Sequence, residues 1–89
     1  MREIVHTSHF KKDYKRLRSS GKDIAKLAAA IKELQKGEVL SPIHRDHALI
    51  GNWSDWRECH LGGDWLLIYR VTEHEVILAR TGSHSELFD

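Results

Sequence analysis

Five polar side chains in the second half of the sequence belong to types that transfer protons or bind anions: His47, His60, Asp64, Arg80 and His84. Histidine has an unperturbed pKa of about 6.5, so one imidazole can accept a proton near neutral pH while another donates one. Arginine keeps its charge and offers a forked set of donors to phosphate oxygens. These groups suit cleavage of RNA, in which a base takes the 2′-hydroxyl proton, an acid protonates the departing 5′ oxygen and a cation stabilises the transition state. We expect this chemistry to need no metal ion and no other cofactor.

Three predicted strands surround these side chains. Over residues 56–61, Trp56, Glu58 and His60 alternate with Arg57, Cys59 and Leu61, as in a strand, and the Gly-Gly-Asp sequence at 62–64 is a turn signal. Residues 65–71 are nearly all apolar, which predicts a central strand covered on both faces. Residues 75–81 form the third strand, so the second half of the chain is predicted to be an antiparallel meander.

The meander brings most of the candidate residues together. His60 ends one strand and Asp64 begins the next, so the tight turn between them should hold the two side chains close. Arg80 ends the last strand, and His84 follows it by four residues. His47 lies in the connection before the first of these strands, and the pattern leaves its position open.

A strand and two helices are predicted ahead of the meander. Residues 2–7 are alternating and partly β-branched, as in a strand. An apolar stripe at i, i+4 and i+7 predicts a first helix that stops at the Ser-Ser-Gly sequence of residues 19–21. A second helix is predicted over residues 22–36 and ends at Gly37. The short gap makes the two helices an antiparallel hairpin.

The element order β-α-α-β-β-β predicts an α+β fold, with the helix hairpin packed on one face of a small antiparallel sheet. The 89 residues form one domain, which is too small to enclose a large cofactor and keep a core of its own. No apolar stretch approaches the roughly 18 residues of a membrane helix, and no signal-peptide pattern precedes the domain. A single cysteine agrees with a reducing compartment, so we expect a cytoplasmic protein without membrane contact.

The net charge of +1 hides a division of the chain into two halves. Residues 1–36 carry ten Lys/Arg against four Asp/Glu, and residues 37–89 carry four against nine. The basic half can face a polyanion, whereas the acidic half holds five of the seven histidines. The candidate phosphate-binding residues on the first helix are Lys11, Lys12, Lys15 and Arg16. The alternative for these four is an ordinary solvated helix face.

The same residues also have plainer interpretations. Histidines on a small protein are often surface residues, Asp64 can be a turn residue alone, and Arg80 can form a surface ion pair with Glu58 or Glu75. Trp65 at a strand start suits either the core or stacking on a base. A zinc site built from the His44-x-x-His47 and Cys59-His60 pairs is a further alternative, although its spacing matches no standard finger. A nucleophilic Cys59 is disfavoured because alternation points it away from His60.

Several motifs, in this order and at this spacing, resemble the YafQ branch of the RelE/ParE toxin superfamily over essentially the whole chain. They are Asp46-His47-Ala48-Leu49, Gly51-x-Trp53, Trp56-Arg57-Glu58-Cys59-His60, Asp64-Trp65-Leu66-Leu67-Ile68-Tyr69 and Arg80-Thr81-Gly82-Ser83-His84-Ser85-Glu86-Leu87-Phe88. Ala48 stands where this branch often has proline, and Asp55-Trp56 is a local variation.

The resemblance implies a RelE-like fold and the toxin of a type II toxin–antitoxin pair. Such toxins are mRNA interferases that cut messenger RNA on the ribosome without a metal. They are held inactive by a cognate antitoxin, and operator DNA is bound only by the toxin–antitoxin complex. The residues matching the family's active site are His47, His60, Asp64, His84 and Phe88, with Trp65 and Arg80 nearby.

The resemblance also suggests a division of roles. His84 is our candidate for the general acid and Phe88 for a contact with a base, whereas His47, His60 and Asp64 are all candidates for the general base. Two rival functions share the fold or the charge pattern. One is a ParE-like, non-enzymatic gyrase inhibitor, and the other is a plain nucleic-acid-binding module.

Overall fold

A computed structural model describes residues 1–37 and 40–88 of the chain. In chain order, the regular elements of these residues are β1 (Glu3–His6), α1 (Ser8–Ser19), α2 (Ile24–Lys36), β2 (His47–Ala48), β3 (Arg57–Gly62), β4 (Trp65–Val71), β5 (Glu75–Gly82) and α3 (His84–Phe88). Two short 3₁₀ turns, Pro42–His44 and Gly51–Trp53, flank β2. None of the helices described here is long and apolar enough to cross a membrane.

The five strands form one sheet in the order β1-β5-β4-β3-β2. The meander of β3, β4 and β5 is antiparallel as predicted, and β4 lies at its centre. The first strand corrects the prediction of a purely antiparallel sheet, because β1 pairs with β5 in parallel. The long connection that a parallel pair requires consists here of the helix hairpin, which crosses the sheet, followed by β2, β3 and β4.

Both helices begin and end at residues that satisfy free backbone groups. Thr7 caps α1 by accepting a hydrogen bond from the Phe10 amide, and Asp23 caps α2 in the same way. Gly37 ends α2 with φ of 81°, a left-handed conformation that glycine adopts without strain. The hairpin packs on one face of the sheet, as predicted, over a core that includes Leu67, Tyr69, Val76 and Leu78.

The opposite face of the sheet carries a smaller apolar cluster and the candidate site. Leu66 and Ile68 of β4 pack there against Ala79 and Leu87, with Trp53 at the margin. Two elements on this face were missed by sequence analysis: the two-residue strand β2 and the five-residue helix α3. Both are too short to produce a periodic pattern, and each is held in place by contacts with the sheet.

Candidate active site

Strand alternation and the β2–β3 register place three ionisable side chains on the same face. Glu58 and His60 alternate along β3 with Cys59 and Leu61, which point into the core under the helices. His47 is the residue of β2 directly opposite Glu58. The sheet therefore holds His47 beside the other two residues, a position that the sequence pattern had left open.

Glu58 is the centre of this group. Its residue is only 3% exposed, and its Oε1 lies 3.5 Å from His47 Nε2 and 3.4 Å from His60 Nε2. The two imidazole rings lie 5.9 Å apart between centroids. A buried carboxylate is stable only when paired, so Glu58 and the two rings form one coupled unit, which we call the Glu58 cluster.

Arg45 fixes which ring nitrogens carry protons in this cluster. His47 Nδ1 lies 2.8 Å from the Arg45 carbonyl oxygen, which only accepts, so this nitrogen is the donor. Arg45 Nη2 donates to His60 Nδ1 at 3.1 Å, because a guanidinium cannot accept. Neutral His60 therefore carries its proton on Nε2, facing Glu58. Arg45 has a left-handed backbone with φ of 46°, at the end of the 3₁₀ turn before β2.

The environment favours the neutral form of His60. Burial lowers the pKa of this imidazole, the positive charge of Arg45 lowers it further, and the carboxylate of Glu58 opposes both effects. A histidine with a lowered pKa is unprotonated at neutral pH, which is the form that a general base needs.

A second histidine–carboxylate pair lies at the exposed end of the same face. His84 begins α3, and its Nδ1 lies 3.0 Å from Asp64 Oδ1, while its backbone amide donates to the same oxygen at 3.3 Å. These hydrogen bonds lower the pKa of Asp64, and the positive charge of His84 contributes to lowering the pKa of His60. The two pairs thus influence each other electrostatically across one site. More than half of each side chain in the His84–Asp64 pair is exposed.

Aromatic residues extend the site beside His84. The Phe88 ring lies 5.7 Å from the His84 ring and 6.1 Å from the Trp53 ring, between centroids. Phe88 is 40% exposed, so it can contact a base. Trp65, in contrast, is 4% exposed on the helix side of the sheet, and its Nε1 donates to Thr81 Oγ1. Of the two alternatives for Trp65, this placement favours the core over contact with substrate, because the core covers its ring.

Arg80 forms its ion pair with neither Glu58 nor Glu75 but with Asp13 of α1. Its Nε lies 2.6 Å from Asp13 Oδ2, and its Nη2 lies 3.1 Å from Oδ1. About a fifth of the Arg80 side chain stays exposed. Arg80 also borders a cleft of about 320 Å³ whose other lining residues include His9, Trp53 and Trp56. The guanidinium therefore borders open space while it is anchored from behind.

The basic residues of α1 differ in their freedom to bind phosphate. Lys11, Lys12 and Lys15 are exposed. Arg16 is instead engaged within the protein, through a 2.8 Å bond to Asp13 and a 3.1 Å ion pair with Glu86. Arg16 therefore has a structural role in this fold, and phosphate binding by its partly exposed side chain stays a prediction.

The structure also bears on two alternatives from the sequence analysis, a zinc site and a nucleophilic Cys59. Cys59 is fully buried on the other face, and burial raises the pKa of its thiol to about 12, so it serves neither as a nucleophile nor as a ligand beside His60. Among the described residues, His47, Glu58 and His60 are the group whose ligand atoms lie close enough to hold a metal ion, all within 4.8 Å of one another. His44 is not part of that group.

Sequence reasoning missed three residues that shape the site: Glu58, Arg45 and Asp13. Glu58 had a signal, because its spacing from His60 places both on the same face of β3. Asp13 had a weaker one, since it lies on the buried side of α1 between Phe10 and Leu17. Arg45 had none, because its position depends on the fold of a loop.

Comparison with known proteins agrees with this architecture. A family model described as the bacterial toxin of type II toxin–antitoxin systems, YafQ, matches residues 2–89. The chain is 34% identical to the mRNA interferase toxin YafQ of Escherichia coli K12 over 88 residues, 98% of this chain and 96% of that protein.

Two solved structures share the whole fold. The E. coli DinJ–YafQ complex superposes with a TM-score of 0.91 at 33% identity, and the match covers all of both chains. A metal-bound toxin from Helicobacter pylori superposes with a TM-score of 0.92 at 41% identity, covering 99% of this chain and all of that one. The matches confirm the predicted RelE-like α+β fold and the prediction of an mRNA interferase toxin. The chain belongs to the YafQ family, the bacterial toxins of type II toxin–antitoxin systems.

Proposed function

We propose that this toxin cleaves messenger RNA on the ribosome by metal-independent acid–base catalysis divided between the Glu58 cluster and His84. The observation that carries the proposal is the pairing of two histidine–carboxylate groups on one sheet face, one buried and one exposed. Cleavage needs a base and an acid on opposite sides of one phosphate, and two separate histidine–carboxylate groups can supply one each.

His60 is the proposed general base. Its lowered pKa keeps the ring neutral, and its accepting nitrogen, Nδ1, is the one that Arg45 contacts. Arg45 moves from Nδ1 to a phosphate oxygen when RNA binds, which frees the lone pair for the 2′-hydroxyl proton. The Glu58 carboxylate then stabilises the imidazolium that forms. Asp64 is a poorer base, because its lowered pKa makes it a weak proton acceptor.

His84 is the proposed general acid. Its Nδ1 is held by Asp64, so Nε2 is left to carry the proton that the leaving group receives. As the 2′ oxygen forms its bond to phosphorus, the bond to the 5′ oxygen breaks, and this oxygen takes the proton from His84. The products are a 2′,3′-cyclic phosphate and a 5′-hydroxyl end.

The cations and the exposed aromatic ring position the RNA. Arg80 stabilises the negative charge that develops on the phosphate oxygens, and Phe88 packs against a neighbouring base. Lys11, Lys12 and Lys15 on the exposed side of α1 contact ribosomal or messenger phosphates.

The proposed partners follow from this role. Family membership supports a cognate antitoxin, as in the E. coli DinJ–YafQ complex. We assign ribosome-bound mRNA as the substrate, which places the toxin in the cytoplasm, and we assign operator DNA to the toxin–antitoxin complex alone.

Induced expression followed by primer extension on cellular mRNA tests the proposal. We expect discrete cuts within translated codons that are absent with the His84→Ala variant. Intact mRNA together with gyrase-dependent DNA damage would instead support a ParE-like poison. Cuts that persist at full rate in His84→Ala would remove this residue from the mechanism.

A metal ion would act here as an inhibitor of cleavage. The H. pylori relative is a metal-bound toxin, and the Glu58 cluster offers imidazole and carboxylate ligands suited to a borderline ion such as Zn²⁺. A bound ion would coordinate His60 through Nε2, which faces Glu58, and would shift the ring proton to Nδ1, so that Nδ1 could no longer accept the 2′-hydroxyl proton. Zn²⁺ should therefore inhibit cleavage. Toxin that is treated with EDTA and then separated from the chelator should cleave ribosome-bound mRNA at the untreated rate, whereas a loss of rate that added metal ion restores would contradict the metal-independent scheme.

A further inference from the structure

We infer that Asp13 is a positioning residue for cleavage: it fixes the guanidinium of Arg80, from α1, in the orientation in which Arg80 meets the scissile phosphate. This inference rests on the proposed nuclease function and assigns a role to a residue outside the histidine site.

The carboxylate of Asp13 lies where a charge is costly. Asp13 is 2% exposed on the buried side of α1, between the core residues Phe10 and Leu17. Burial alone would raise the pKa of this carboxyl, but hydrogen bonds from Arg80, Arg16 and Thr81 outweigh burial and lower it. The carboxylate is therefore ionised, and both of its oxygens accept hydrogen bonds. An apolar side chain at this position would avoid the free-energy cost of removing a charge from water.

Asp13 accepts hydrogen bonds from two arginine side chains and from the backbone of β5. Its Oδ2 accepts from Arg80 Nε and from the Thr81 amide, and its Oδ1 accepts from Arg80 Nη2 and Arg16 Nη1. Because β1 pairs with β5 only as far as Leu78, Asp13 takes the place of a strand partner at Thr81. The carboxylate thus fixes both the backbone and the side chain at the end of β5.

Arg80 donates two of its hydrogen bonds to Asp13, and these two bonds determine the orientation of its guanidinium. A forked guanidinium bound at Nε and Nη2 can no longer rotate about its last side-chain bonds, which leaves Nη1 for a phosphate oxygen. The partly exposed side chain borders the cleft beside Trp53, on the face that carries the Glu58 cluster. Preorganised donors stabilise a transition state without reorganising, so this anchoring should raise the rate of the chemical step rather than substrate affinity.

The wild-type toxin allows a first test by ¹⁵N NMR of arginine side chains. We expect the Arg80 Nε–H signal to exchange slowly with solvent and to show restricted motion, in contrast to the exposed Arg70 of β4. An Arg80 side chain as mobile as that of Arg70 would overturn the inference, whatever the toxin cleaves.

A double-mutant cycle provides the second test. On saturating ribosome-bound mRNA, Asp13→Asn should lower the single-turnover rate by about 10²-fold with little change in KM, as expected for a misplaced catalytic group. In an Arg80→Ala background, the same substitution should cause no further loss. Equal losses in both backgrounds would show that Asp13 is merely structural, and a fully active Arg80→Ala would also overturn the inference.

A third variant keeps the test decisive if circular dichroism shows that Asp13→Asn is unfolded at the assay temperature. Arg80→Lys keeps the charge but replaces the planar, forked guanidinium by an ammonium group on a flexible stem, which cannot be held at two points by Asp13, so we expect a loss in rate with ribosome binding retained. A fully active Arg80→Lys contradicts the inference. If the wild-type toxin cleaves no mRNA, the proposed function fails, and that result is distinct from failure of the cycle.

Discussion

Two buried carboxylates, Asp13 and Glu58, are both almost fully covered but have partners of opposite kinds. Asp13 contacts two arginines, which stay charged, through side-chain hydrogen bonds of 2.6 to 3.1 Å. Glu58 contacts two histidines, which titrate, at 3.4 and 3.5 Å. The contacts of Asp13 are ion pairs with permanently charged partners. In the Glu58 cluster, the histidine partners can bind or release a proton while Glu58 stays ionised.

In this small domain, the residues that hold the backbone in place are separate from the residues that transfer protons. Permanent cations around Asp13 hold the end of β5 at every pH near neutrality. Titratable rings around Glu58 keep a proton within reach of the substrate. We therefore expect different responses to substitution. Changes in the Glu58 cluster and at His84 should affect the cleavage rate, whereas changes at Asp13 should affect stability and, through Arg80, the rate as well.

Removing either proposed proton-transfer residue should have the largest effect. His60→Ala and His84→Ala should each lower the cleavage rate by about 10²- to 10⁴-fold, the usual contribution of a positioned acid or base. Single-turnover cleavage of ribosome-bound mRNA measures this loss. His74→Ala is the matched control, because His74 is a fully exposed histidine in the β4–β5 turn and should be dispensable.

Breaking the ion pair of Asp13 should reduce stability in addition to the cleavage rate. Asp13→Asn leaves two arginines facing a neutral group and should lower the free energy of unfolding by about 3 kcal/mol at pH 7. Because the pKa of Asp13 is lowered in the folded state, its contribution is complete above the unfolded pKa of about 4 and disappears as the pH falls through the folded value.

Urea denaturation between pH 7 and acid pH checks this expectation. The difference between wild type and Asp13→Asn should shrink as the pH falls, whereas exposed Asp55→Asn should match wild type throughout. A difference that is independent of pH would mean that packing, not charge, stabilises this site.

Neighbours of His60 should move the pH dependence of cleavage in opposite directions. Arg45 lowers the pKa of His60, so Arg45→Gln should raise it and shift the acid limb of the rate profile to higher pH. Glu58 raises that pKa, so Glu58→Gln should shift the limb to lower pH. A pH–rate profile of each variant measures the shift. If the acid limb moved in the same direction in Arg45→Gln and in Glu58→Gln, His60 would be excluded as the group whose titration produces that limb.

The exposed lysines of α1 should have the smallest effect. Replacing Lys11, Lys12 and Lys15 together by glutamine should weaken ribosome binding and reduce its log–log salt slope by up to about 3, one for each lost phosphate contact. Lys32→Gln with Lys36→Gln, on α2, is the control. If only antitoxin binding weakened, the exposed side of α1 would be a protein interface.

The sequence predicted the parts of the site that depend on local periodicity. Alternation along β3 and the glycine turn placed His60 near Asp64, and the apolar run of β4 predicted the central strand. The sequence could not predict which residue anchors Arg80, because the Asp13–Arg80 contact joins residues 67 positions apart. It also left His47 open, since that side chain is positioned by the register of a two-residue strand.

The most direct test of the division between base and acid uses RNA with a 5′-bridging phosphorothiolate at the mapped cleavage position. A thiolate leaves without receiving a proton, so this substrate needs a base but no acid. We expect His84→Ala to cleave it at nearly the wild-type rate, whereas His60→Ala should stay slow on both this substrate and ordinary RNA. A His84→Ala variant that remains slow on the sulfur substrate, or a His60→Ala variant that recovers, would contradict this division.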